Sequence, residues 1–383
     1  MNKPTVQDIF RCFYPAYLEK YSPSPEQAKV ARNILNCKTG AYGANVSVCE
    51  DCGAVQIHYN SCCNRCCPMC QAVPKEMWMD ARREDVLDAP YFHLVFTVPD
   101  ILNPIIYNNQ KLLYDTLYHA ASATISELTA DPKHLGADVG YICILHTWGS
   151  EMNFHPHIHT ILLGGGLTSK NEWKDNGTEF FLPIRAVSKS FRGKYIDELK
   201  HLWNTGQLEF HGTAEKYRNY YVFKDLLDSC YDTEWIPYCK KTFNGAQSVI
   251  DYLGKYTHRI AISNHRIICM DDENVTFSVK DYRNKGQWKE LTLSGVEFIR
   301  RFLMHVPPKR FVRIRHYGLL CSRSKHKKLA LCRNLLGCQK YLSKLRGKEM
   351  PEILKQLYEI NICVCKSCGG HLGKPQLRKP QRC

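Results

Sequence analysis

The alternation of apolar and polar positions is clearest in the middle of the chain. Tyr91–Val98 (YFHLVFTV) is rich in apolar and β-branched residues and reads as a strand closed by Pro99. Asn108–Leu128 has helical spacing. Tyr141–Trp148 (YICILHTW) and His157–Leu163 (HIHTILL) read as strands, and the run Gly164-Gly165-Gly166 is expected to end the second. Ser188–Trp203 and Gln247–His258 read as helices, with the polar stretch Asn171–Thr178 as a loop. Arg266–Met270, Val275–Val279 and Gln287–Leu291 are short strands between polar turns. Gly295–His305 is an amphipathic helix stopped by Pro307-Pro308. The middle therefore alternates strand and helix, flanked by a head and a tail of different character.

Composition sharpens that division. The 383 residues suggest two or three domains, and 44% apolar with 23% charged residues is a globular composition. Fifty-two Lys and Arg against 37 Asp and Glu leave +15, which points to a polyanionic partner, nucleic acid before an anionic membrane. No apolar run approaches the roughly 18 residues of a membrane span, and the start MNKPTVQDIF lacks a signal-peptide stretch, so a cytoplasmic, reduced protein is expected.

Twenty cysteines in such a chain point to metal rather than disulfides. Nine lie between Cys12 and Cys70, seven between Cys321 and Cys383, and Cys143, Cys230, Cys239 and Cys269 lie between and read as small buried hydrophobes. In the head, the pairs Cys49/Cys52 and Cys67/Cys70 are separated by 14 residues, a spacing at which four thiolates could close one structural zinc site. Cys37, Cys62, Cys63 and Cys66, with His58 nearby, could form a second, interleaved site; Cys37, Cys62 and Cys66 are its main candidates. Arg65, Lys75, Arg82 and Arg83 make the module a candidate DNA clamp.

The candidate chemistry sits in FHPHIHTILLGGG, Phe154–Gly166. On a strand His157 and His159 share a face while Ile158 points into the core, giving half a site for a divalent cation. Pro156 belongs at a strand start or edge, so His155 reads as a turn residue. Later comes Asp251-Tyr252-Leu253-Gly254-Lys255-Tyr256. On a helix Tyr252 and Tyr256 share one face, about 6 Å apart along the axis. A cation at the histidines would polarise a phosphate for attack by either phenol.

These residues resemble a known family. The stretches NSCCNRCCPMCQ, YFHLVFTVPDILN, HPHIHTILLGGGL, YLGKYTHRIAISN and FIRRFLMHVPPKRFVRIRHYGLL resemble, in order, a rolling-circle insertion-sequence transposase of the HUH group, two-tyrosine type. The resemblance implies an α+β fold: a small antiparallel sheet carrying His157-Ile158-His159, flanked by helices. It implies an N-terminal zinc-binding domain over 1–88, a catalytic domain over 89–305 and a basic DNA-binding region over 306–383. It implies Mg²⁺ or Mn²⁺ at His157 and His159, and nucleophiles at Tyr252 and Tyr256. Single-stranded DNA of the element's ends and target would be the substrate, in a bacterial, nucleoid-associated setting. Imidazoles suit Zn or Ni better than Mg, so an additional oxygen ligand or several waters are expected, with Glu151, Asp251 and Gln247 as candidates. Relatives carry histidine where this chain has Cys66.

In the tail, Lys309, Arg310, Arg313, Arg315, Arg323, Lys325, Lys327, Lys328 and Arg333 occur with no acid between Lys309 and Arg333. Phe311, Arg313 and Arg315 are expected on one strand face, with His316 and Tyr317 as stacking surfaces for single-stranded DNA. Cys365 and Cys368 resemble half of a tail zinc site, to be completed by Cys321, Cys332 or Cys338, with Cys363 and His371 beside it. A replication initiator or relaxase would use the same chemistry, and a non-catalytic zinc-bearing DNA-binding regulator would share the charge and cysteines. The sequence leaves the oligomeric state open.

Overall fold

The computed structural model describes residues 3–177, 182–235, 238–243, 248–249, 251–252, 254, 260–281 and 286–379. In chain order the elements are α1 (Val6–Lys20), α2 (Pro25–Asn36), β1 (Ala44–Val48), β2 (Val55–Tyr59), α3 (Ala72–Arg83), β3 (Tyr91–Thr97), α4 (Asn103–Asn108), α5 (Gln110–Ala130), β4 (Asp138–Trp148), β5 (Phe154–Leu167), β6 (Trp173–Asp175), α6 (Ile184–Asn204), α7 (Tyr220–Asp232) and β7 (Tyr238–Phe243). There follow β8 (Ile267–Met270), β9 (Asn274–Asp281), β10 (Gln287–Ser294), α8 (Gly295–Met304), β11 (Ile314–Gly318), α9 (Lys325–Leu336), α10 (Met350–Tyr358) and β12 (Gln376–Arg378). Helical residues between Ser248 and Gly254 carry Tyr252.

The α+β expectation holds. The principal sheet runs β11-β4-β5-β3-β7 with β6 on β5, and its described ladders are antiparallel. Period-2 alternation gives β4 and β5 two buried faces. Cys143, Leu145, Ile158 and Leu162 enter a large core with α5, α6 and α7. Ile142, Ile144, Ile161 and Leu163 face the opposite way, toward Met79 of α3, Val249 and Leu329 of α9. Full burial on both sides fixes register, because a one-residue slip would exchange the faces.

Two details differ from the sequence pattern. Gly164–Gly166 do not end β5; they continue it to Leu167, and Gly165–Leu167 pair with β6, a strand inside the expected loop. Glycine is required there by close approach: a Cβ on Gly165 would lie 2.4 Å from Trp173 Cζ2, and one on Gly166 2.3 Å from the Asp138 carbonyl oxygen. The packing also crosses the expected domain limits. α1 and α2 build a second core with β8, β9 and α8, and β11 is an edge strand of the principal sheet, although residue 314 lies in the expected tail. Among the described residues no helix is long and apolar enough to cross a membrane.

Candidate active site and cysteine clusters

The site forms on the sheet face opposite α5 and α6. β4 and β5 place His146 directly across from His157, and β3 places Val95 across from His159. His146, His157 and His159 converge, with exposures of 4%, 8% and 8%. Nε2 of His157 and Nε2 of His159 stand 3.0 Å apart. Two nitrogens at about 2.1 Å from an octahedral ion are spaced by ~3.0 Å, so this separation suits such a centre. Nδ1 of His157 lies 2.7 Å from the carbonyl oxygen of His155 and donates to it, which leaves Nε2 free to ligate. Burial pushes the His157 pKa down to about 3 and that of His159 well below its ordinary value, so both rings are neutral donors.

The third side chain at this cluster is an imidazole that the sequence reading did not name, His146. Its signal was present in ILHTW: an imidazole on the strand preceding the HUH strand, in matching phase. Glu151 instead pairs with Lys289 at 3.2 Å, Gln247 lies outside the described residues, and Asp251 lines a neighbouring cleft. Trp148 stacks on His146 with centroids 4.5 Å apart, and the Arg313 guanidinium covers Trp148 at 5.3 Å.

Tyr252 approaches from the helical segment above the sheet. Its hydroxyl lies 3.0 Å from Nδ1 of His159 and hydrogen-bonds Nε2 of His93. His93, on β3, is also 2.9 Å from His159 Nδ1, so three side chains meet behind the His159 ring. Gly254, two residues on, packs against Met79 of α3 so closely that a Cβ would lie 1.9 Å from its sulfur. Tyr256 lies outside the described residues. Beside this segment is a cleft of about 670 Å³ lined by Arg65, Lys75, Arg83, His265 and Asp251.

The cysteines group differently from the expected pairing. Cys49/Cys52 do not meet Cys67/Cys70. One group is Cys37, Cys62, Cys67 and Cys70; the other is Cys49, Cys52, Cys365 and Cys368. Strands β1 and β2 form a hairpin that carries the 49/52 knuckle away from α2, whereas Gln7 of α1 donates to the carbonyls of Ile34 (2.7 Å) and Cys37 (2.8 Å) and holds Cys37 at the other group. Cys66 belongs to neither; it is buried between Arg65 and Arg313, and burial raises its thiol pKa. Cys332 and Cys338 pack in an apolar cluster rather than completing the tail site. Cys143 and Cys230 are buried as expected, but Cys269 is exposed.

The basic tail is only partly a surface. Arg313 is buried, and Arg315 lies over the Tyr118 ring and pairs with Asp115. Lys328 pairs with Asp138 at 2.6 Å, and Arg65 donates to the Phe311 carbonyl at 2.7 Å. Lys309, Arg310, Arg323 and Lys327 are exposed. The expected strand face over Phe311, Arg313 and Arg315 does not form as a whole, because β11 begins at Ile314: Phe311 fills the core beside Tyr114, Arg315 lies over Tyr118, and Arg313 turns to Trp148.

A family model described as “Putative transposase” matches residues 140–328, and one described as “Transposase zinc-binding domain” matches residues 9–98. A Sinorhizobium fredii protein named “Putative transposase y4qJ” is 41% identical over 336 residues, 87% of this chain and 84% of that protein. The “Transposase for insertion sequence element IS801” of Pseudomonas savastanoi pv. phaseolicola is 30% identical over 302 residues, 78% of this chain and 71% of that protein. Two solved structures of the conjugative relaxase TrwC in complex with oriT DNA are similar to it, both at 13% identity. The metal-free one has a TM-score of 0.24 and covers 43% of this chain and 71% of that chain; the copper-bound one has a TM-score of 0.25 and covers 67% and 96%. The chain therefore belongs to the IS91/IS801 family of insertion-sequence transposases, with an N-terminal transposase zinc-binding domain.

Proposed function

We propose that this transposase cleaves one DNA strand by attack of the Tyr252 phenol on a phosphodiester, and rejoins it through the 5′-phosphotyrosine so formed. The observation that carries this is the Tyr252 hydroxyl at hydrogen-bonding distance from His159, one of three converging imidazoles. In the step, the Tyr252 oxygen bonds to phosphorus, the P–O3′ bond breaks, and the phenol's proton ends on the departing 3′-hydroxyl. Attack by a new 3′-hydroxyl reverses these changes and seals the strand. Tyr256, four residues further along the sequence, is proposed as the second nucleophile.

His146, together with the neutral rings of His157 and His159, fits Mn²⁺ or Mg²⁺, and a bound ion would supply Lewis-acid polarisation of the phosphate oxygens. The protein's own contribution is positioning. β4 and β5 fix the imidazoles by register, and His93 and His159 hold the phenol. Single-stranded DNA is proposed to pass through the cleft lined by Arg65, Lys75 and Arg83, with Lys309, Arg310, Arg323 and Lys327 offering further phosphate contacts. Zinc at Cys37, Cys62, Cys67 and Cys70 is proposed as the structural ion of the head.

The test uses a labelled single-stranded oligonucleotide carrying the element's end, with Mn²⁺. Wild-type protein gives a covalent adduct stable to denaturing gels. A Tyr252→Phe, Tyr256→Phe variant gives none, and His146→Ala slows adduct formation by about a hundredfold or more while leaving zinc content unchanged. An adduct that persists in the double phenylalanine variant removes the assigned nucleophiles.

A further inference from the structure

The cluster Cys49, Cys52, Cys365 and Cys368 joins positions 319 and 313 residues apart. Its tail half lies outside both family matches, which span 9–98 and 140–328. The sulfur of Cys49 is 3.6 Å from that of Cys368, and Cys52 is 3.8 Å from Cys365. A disulfide needs about 2.05 Å. Four thiolates at about 2.3 Å from a tetrahedral Zn²⁺ are spaced by ~3.8 Å, the separation found.

The two halves are built alike. In the head, the amide of Gly53 donates to the Cys49 carbonyl at 3.0 Å, and that of Cys49 to the Ala54 carbonyl at 2.9 Å. In the tail, Gly369 donates to Cys365 at 2.9 Å, and Cys365 to Gly370 at 2.8 Å. Gly53 and Gly369 have φ of 69° and 78°, the left-handed turn that glycine permits. Amides of Ser367 and Gly370 point at the sulfurs of Cys365 and Cys368, both at 3.4 Å, which stabilises thiolate charge. The surrounding apolar contacts are sparse: Leu372 and Ala54 pack with Cys49 and Cys365. Strand β12 lies on β1, and Gly373 donates to Val48 at 2.9 Å.

We infer that Cys49, Cys52, Cys365 and Cys368 bind a second structural zinc ion, which fastens the chain's C-terminal ribbon to its N-terminal module. The ion is four-thiolate, closed to substrate, and separate from the Cys37 group and from the imidazoles. It completes the β12-β1-β2 sheet only once both ends of the chain are present.

The experiment measures zinc per chain in full-length protein by plasma mass spectrometry. It compares wild type with Cys52→Ser, Cys368→Ser and the double variant; both positions are exposed, which spares the core. Each single variant should lose one zinc, and the double variant should lose the same single ion. Trypsin should then cut near Lys366 and Lys374 faster in all three, with the DNA-adduct reaction retained. Cys368→His, which keeps a zinc donor, should restore the ion. Unchanged zinc in the single variants, losses that add to two ions in the double variant, iron in place of zinc, or a Cys49–Cys368 disulfide in freshly reduced protein would each overturn the assignment.

Discussion

The imidazole site and the cysteine clusters are both sets of converging ligands, but the chain assembles them in opposite ways. His146, His157 and His159 come from two adjacent strands whose register is set by a large core behind them. Cys49, Cys52, Cys365 and Cys368 come from the two ends of the chain, with Leu372 and Ala54 for apolar company. The sheet would present its ligands with or without an ion. The ribbon has too little buried apolar surface to order itself, so there the ion is part of the fold.

The largest effect that tests this contrast is metal removal. A zinc-selective chelator at neutral pH should abolish amide-exchange protection across 44–59 and 364–378, while residues 138–148 and 154–167 stay protected. Equal loss in both regions, followed by hydrogen-exchange mass spectrometry, would erase the distinction.

Next in size is the core behind the histidines. Ile158 is fully buried between His157 and His159. Ile158→Ala should cost about 2–5 kcal/mol of stability in urea unfolding and loosen cation binding, without loss of zinc. The smallest effect concerns acid. His305 is buried, 3.2 Å from the Thr147 hydroxyl and 3.1 Å from the Met152 carbonyl, and burial lowers its pKa to about 4. The folded pKa lies below the unfolded value of 6.5, so the unfolded chain binds protons first as pH falls. Stability is complete above pH 6.5 and declines toward pH 4, by about 2 kcal/mol at pH 5. His305→Gln should flatten that slope in urea midpoints measured against pH.

The contrast also explains what the sequence revealed. Period-2 alternation exposed β3, β4 and β5, and phase alone put His157 and His159 on one face with Ile158 opposite. His146 was as readable in principle, but only the pairing of β4 with β5 brings it across from His157, and cross-strand partners are not local. The cysteine pairing failed for the same reason on a larger scale. Spacing favours the nearest knuckles, whereas the fold matches Cys49/Cys52 with a knuckle 313 residues away. Arg313 shows a third limit: charge marks it as surface, yet it is buried against Trp148, which in turn stacks on His146.

The most direct test of the central claim is to map the DNA–protein bond. Trypsin separates the two phenols, because Lys255 divides Thr242–Lys255, which holds Tyr252, from Tyr256–Arg259. After reaction with a single-stranded element end and Mn²⁺, nuclease and trypsin treatment, tandem mass spectrometry should find the nucleotide phosphate on Tyr252. A phosphate found on a tyrosine remote from the imidazoles, or cleavage that leaves no peptide modified, would contradict the account.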